Sequence, residues 1–258
     1  MMWSRGWRRA LVAAGTALTL LLAGPMLMLT SPRVDLDSHW ATADRSPTRL
    51  APHPDRVRDA VVQVYAARAF NWRGAFAVHT WIATKVANAP YYQVHEVTRW
   101  YRSTTTTHRQ SPDRAWYGSA PWLLADYRGE MAARMIPGII AAVADYPGAM
   151  EYDVWPGPNS NTFVAWVVRR VPELRVHLPA IAVGKDYLPE GVLAKAPSGS
   201  GYQLSLGGVF GWVVALEEGI ELNLLGLTLG IDLTYPALKL PGIGRVGFAE
   251  PVMGNGAG

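Results

Sequence analysis

The sequence predicts an α+β fold: an antiparallel β-meander packed on helices, with an N-terminal transmembrane helix before it and a C-terminal β-hairpin region after it. Three observations carry this reading. Runs rich in β-branched and aromatic residues, separated by Asn, Gly and Pro turns, fill residues 60–101. Apolar residues at helical spacing fill residues 121–145 and 160–171. A Gly- and Leu-rich stretch with alternating polarity fills residues 202–233. Half of the 258 residues are hydrophobic and 17% are charged, so a single domain can bury a sizeable core.

The first segment is an anchor. Arg5, Arg8 and Arg9 precede an apolar run from Ala10 to Thr30, mildly interrupted by Gly24-Pro25. About twenty apolar residues suffice to span a bilayer as a helix. The arginines hold the N-terminus in the cytoplasm and send the rest across. The run is long for a signal peptide and lacks a good A-x-A-like site, so an uncleaved anchor over residues 1–31 is favoured over a cleaved signal. Setting these three arginines aside leaves 21 basic residues against 20 acidic ones, from a total of 24 and 20. A near-neutral body gives no sign of a nucleic-acid groove. The chain has no cysteine, which excludes disulfides, thiolate metal sites and cysteine nucleophiles.

Residues 32–55 are polar and proline-rich and read as a linker. A single domain follows over 56–250. Ala60–Tyr65, Ala75–Ala83 and Tyr91–Tyr101 read as three meander strands, the second carrying His79 and the third His95 and Glu96. Pro121–Met135 reads as a helix, with Leu123, Leu124, Tyr127 and Met131 at helical spacing, and Pro137–Asp145 as a second, short one. Tyr152–Trp155 reads as a short strand. A Pro-Gly-Pro turn then leads into a buried helix opened by Asn159-Ser160 and stopped by Pro172. Residues 202–233 read as β-hairpins, with a membrane-embedded piece as the alternative, and residues 251–258 as a disordered tail.

Two features carry chemistry. Ser160 begins an apolar helix, where it is either an ordinary cap or a nucleophile near the positive end of the peptide dipoles. The dipole alone cannot activate a hydroxyl, so a base is required, and His79 is the natural one. A hairpin centred near Ala87 pairs His79 with His95, with about 5 Å between Cβ atoms. A half-step shift in that turn brings up Glu96 instead. His95-Glu96 is no zinc motif, because it lies on a strand without a second histidine at helical spacing, and no metal or cofactor is expected. Lys185 reads first as a surface lysine and second as a base or anion contact.

The order of these motifs resembles the circularly permuted papain-like NlpC superfamily, which includes the lecithin retinol acyltransferase-like proteins. His79-Thr80-Trp81-Ile82 stands for that family's base-bearing strand and His95 for its orienting residue. Asn159-Ser160-Asn161-Thr162-Phe163-Val164 stands for its nucleophile segment. The family's cysteine is Ser160 here. The Trp155–Phe163 and Gly184–Pro189 segments also resemble an uncharacterised bacterial family of unknown function. The resemblance implies a permuted papain-like fold and a catalytic set of Ser160, His79 and His95. Asn159, Asn161, Glu96 and Lys185 would support the site or contact substrate.

The expected protein is anchored in the bacterial inner membrane by one helix, with its body on the extracytoplasmic side. It would act as a serine-dependent amidase, peptidase or acyltransferase on cell-wall peptide or lipid. The alternative is a non-catalytic envelope binding or assembly module. A third reading, lipid binding through residues 202–233, predicts exposed leucines there.

Overall fold

β-Branched runs in the first half of the chain and alternating Leu-polar runs in the second become two separate sheets. The structure is a computed structural model that describes residues 5–99 and 104–256. It begins with helix α1 (Arg5–Leu29). Residues Gly6–Leu29 are long and apolar enough to cross a membrane.

The first sheet contains β1 (Val61–Arg68), β2 (Val78–Lys85), β3 (Gln93–Val97), β4 (Thr105–Arg109) and β5 (Trp122–Arg128). Helices α2 (Glu130–Ala144) and α3 (Ser160–Arg170) follow. The second sheet is a meander of β6 (Leu193–Lys195), β7 (Gly201–Leu206), β8 (Phe210–Ala215), β9 (Gly219–Leu224), β10 (Leu227–Asp232), β11 (Ala237–Leu240) and β12 (Gly244–Gly247). A last strand, β13 (Met253–Gly254), returns to the first sheet, whose order is β13-β5-β1-β2-β3-β4.

β1 and β2 are buried along their whole length because both faces of their sheet are covered. On one face Val62, Val64 and Ile82 pack with Met135 and Ile139 of α2 and Phe163 of α3. On the other, Tyr65, Trp81, Tyr92 and Trp116 form an aromatic layer, in which Tyr65 and Trp81 stack at 5.5 Å between centroids. Two-sided burial explains why these strands read as nearly continuous apolar runs.

Several expectations change. Pro121–Met135 is not one helix: Trp122–Arg128 is a strand paired with β1, and the helix starts at Glu130 and runs through Pro137. The pairing slips at Val64/Tyr65, where Leu124 is passed over. That bulge puts the neighbours Leu124 and Ala125 on the same face, which breaks the period-2 alternation and imitates helical spacing. The second meander strand begins at Val78, because Asn71–Ala75 forms a 3-10 turn. The third spans Gln93–Val97; Trp100 and Tyr101 lie outside the described residues. Tyr152–Trp155 forms no strand.

The proposed linker is docked on the domain. The Leu50 and Ala51 N–H groups donate to the Asp113 carboxylate, and Tyr92 Oη donates to Pro52 O. The tail is docked as well, with Met253 opposite Ala125 and the Gly256 N–H on Asp126 O. Residues 1–4, 257 and 258 of the anchor and tail segments lie outside the described residues.

Candidate active site

Asn159, not Ser160, caps α3. Its Oδ1 accepts from the Asn161 and Thr162 N–H groups, and its own N–H donates to Thr162 Oγ1, closing a capping box. Its Nδ2 donates to Val154 O and Val183 O, fixing the turn to the following loop. Gly184 must be glycine for this to occur: its φ is +96°, and a Cβ there would lie 2.3 Å from Asn159 Nδ2.

Ser160 is therefore relieved of capping. It is the first helical residue and is 3% exposed. Its hydroxyl makes no hydrogen bond to the described residues. Of the N–H groups at the helix start, only that of Ser160 lacks a partner among them, since Asn159 O takes the Phe163 N–H. Ser160 lines a cleft of about 460 Å³ together with His79, Trp116, Tyr117, Arg73 and Tyr152.

The strand register replaces His95 with Glu96. Ile82, not His79, pairs with His95, so the hairpin centres between Asn88 and Ala89, one and a half residues past Ala87, and has the same parity as the half-step shift. His95 faces Thr84 and Thr107, each 2.9 Å from a ring nitrogen, and contacts neither His79 nor Ser160 by hydrogen bond. Glu96 instead shares a face with His79, and its Oε2 lies 3.3 Å from His79 Nε2. Arg114 Nη2 lies 2.9 Å from both Glu96 oxygens. The His79 ring stacks on Trp116 at 3.6 Å, which fixes its plane. With Nε2 engaged, Nδ1 is the nitrogen left for base chemistry.

Burial pushes the His79 pKa below its ordinary value, partly opposed by Glu96. Burial alone would raise Glu96, but its bond to His79 and the Arg114 charge hold it at about 2. The site thus pairs a neutral imidazole with a fixed carboxylate. Ser160 and His79 share the cleft without a hydrogen bond between them. β2 turns Thr80 toward α3, where its Oγ1 donates to Asn161 Oδ1, and turns His79 to the aromatic side.

The other expected residues are structural. Asn161 Nδ2 donates to Val78 O and Val183 O, so its amide is committed to the scaffold. Lys185 is buried away from the cleft, 2.9 Å from Asp186 and 2.5 Å from Glu221. It is not a surface lysine. The sequence reading missed Arg114 and Trp116, which lie in an irregular stretch after β4 with no periodicity to mark them.

A family model described as a protein of unknown function, DUF3750, matches residues 59–187. The chain belongs to this family. The DUF3750 segment contains β1–β5, α2, α3 and every residue of the His79–Glu96–Ser160 set. It ends beside Lys185 and excludes α1 and the second sheet. No curated protein and no solved structure matches the chain.

Proposed function

We propose that this DUF3750 protein is a membrane-anchored, envelope-facing enzyme of acyl transfer, with Ser160 as nucleophile, His79 as general base and Glu96 orienting His79. One observation carries the reading. A buried serine that no longer caps its helix opens onto the same cleft as a neutral histidine whose far nitrogen is held by a carboxylate. Ser160 Oγ would attack an ester or amide carbon while its proton passes to His79 Nδ1. The leaving group would take that proton as its bond breaks, and water or an acceptor alcohol would release the acyl group. The Ser160 N–H is the donor available to the oxyanion. A permuted papain-like scaffold, with serine for cysteine, accords with the strand histidine and the helix-borne nucleophile.

The cleft also favours a substrate with an apolar tail over cell-wall peptide. It shares Arg73, Ala77, Val154 and Val183 with an apolar groove of about 300 Å³ beneath α1, lined by Leu18, Leu21 and Leu22. The arginines before α1 favour a body on the extracytoplasmic side.

Labelling with a serine-reactive phosphonate tests the reading. Adduct should form at Ser160, disappear in Ser160→Ala and His79→Ala, and slow by about 10²–10⁴ in Glu96→Gln. The alternative, a non-catalytic envelope-binding module, is favoured by the missing Ser160–His79 hydrogen bond. Absence of labelling in the native chain would decide for it.

A further inference from the structure

The second sheet is inverted relative to a soluble domain. Along β8, Val213 is 3% exposed and the adjacent Val214 is 51% exposed. Phe210 and Trp212 point outward with Val214. On β9, Glu221 and Asn223 are buried while Ile220 and Leu222 are exposed. The pattern continues with Tyr202 and Leu206 on β7, Ile231 on β10, Leu238 on β11 and Val246 on β12. Among the described strand positions on this face, Lys195 on the edge strand β6 is the one charge.

A slipped register does not explain this. Sliding each strand by one residue would swap its faces, yet the inward polar groups are paired. Glu221 is bound by Lys185 and Lys239, and Asn223 Nδ2 donates to Asp186. Seven strands at about 4.8 Å spacing and about 20 Å length give a footprint of about 600 Å². That equals the largest apolar patch of an ordinary monomer before side-chain relief is counted.

Continuity with α1 identifies what covers it. Leu21 and Leu22 pack against Leu224, Leu227 and Leu229, which belong to the same outward face. Gly24 meets the β11–β12 turn so closely that a Cβ would lie 2.0 Å from Pro241 O. The helix is therefore pinned to the sheet over its last turns. Residues 6–20 are exposed, about 22 Å of helix. A hydrocarbon core is about 30 Å thick. A bilayer spanned by α1 must reach past Leu21 to the sheet. Trp72 and Trp155, both exposed, flank the groove beneath α1, a position that suits the polar boundary of a membrane.

We infer that the outward face of the second sheet lies in the lipid alongside α1, so that the protein is seated in the membrane rather than tethered above it. This does not depend on the chemistry of Ser160.

The cysteine-free chain allows a direct test with single spin labels on Val214→Cys and Leu222→Cys in the full chain. Glu130→Cys on α2, whose side chain is 87% exposed, serves as the water reference. The protein is reconstituted in phosphatidylcholine–phosphatidylglycerol vesicles, and label accessibility to oxygen and to a nickel chelate is compared. Labels at 214 and 222 should favour oxygen while the label at 130 favours nickel. Nickel access at 214 and 222 equal to that at 130 would overturn the inference. Shielding from both reagents with spin–spin broadening would overturn it in favour of a second copy of the chain.

Discussion

His95 shows how a residue can lie next to a candidate site and belong to the scaffold. It is buried between Thr84 and Thr107, and that burial pushes its pKa down to about 4. In the unfolded chain it would titrate near 6.5. Its folded value is therefore lowered, and the unfolded state binds the proton first as the pH falls. Stability is complete above about 6.5 and declines toward pH 4, by about 3 kcal/mol for this one group. His79, also lowered by burial, acts in the same direction. The difference between native chain and His95→Gln isolates the His95 part. Denaturant unfolding at pH 7 and pH 4.5 should show a smaller acid loss in His95→Gln by about 2.5 kcal/mol. An identical acid loss in both would show that His95 is protonated in the folded state.

At the scale of elements, α3 depends on one side chain and one glycine. Asn159 satisfies the helix start and ties it to Val154 and Val183, so Asn159→Ala removes both the cap and two buried bonds. The expected loss is about 2–4 kcal/mol, or roughly 5–10 °C in thermal midpoint for a chain of this size. Gly184→Ala should do the same through the Asn159 clash and its positive φ. Calorimetry on both variants checks this, and an unchanged midpoint in Asn159→Ala would refute the cap assignment. This element was legible in the sequence because a cap, an apolar helix and a stopping proline agree within a few residues. The strand bearing His79 was legible for a similar reason. The choice between His95 and Glu96 was not, because it hangs on the parity of a turn that alternation cannot fix. β5 was read as helix because its bulge puts the neighbours Leu124 and Ala125 on one face and breaks the alternation that marks a strand. In the second sheet the strands were legible, but which face looks outward was not: Leu and Val beside Glu and Asn predict the opposite burial in water.

At the scale of the whole molecule, the inward face of the second sheet is joined to the DUF3750 segment through ions, while Phe76, Ala77 and Val183 of that segment cluster with Leu224, Leu227 and Leu229 at the sheet's margin. Lys185, near the end of the segment, meets Glu221 of β9, which also binds Lys239 of β11 at 2.7 Å. Asp186 accepts from Gln203 of β7 and Asn223 of β9. An inverted sheet requires this arrangement, because its apolar side is turned away from the body. The charges cost desolvation energy and repay it only while each is paired. Two positive groups share the Glu221 carboxylate, so Glu221→Ala strands Lys239 in the interior and leaves Lys185 with Asp186 alone. The expected loss is about 3–5 kcal/mol, about 10 °C or more in thermal midpoint. A double variant, Glu221→Leu with Lys239→Met, removes one positive and one negative charge, leaves Lys185 paired with Asp186 and should recover most of that loss, since an apolar replacement of a buried ion pair is often neutral. Thermal unfolding of native, single and double variants in the same vesicles distinguishes the cases. If the double variant were no more stable than Glu221→Ala, the ions would have to be holding the sheet in its inverted register rather than merely pairing with one another, and the 222 label should then lose its preference for oxygen.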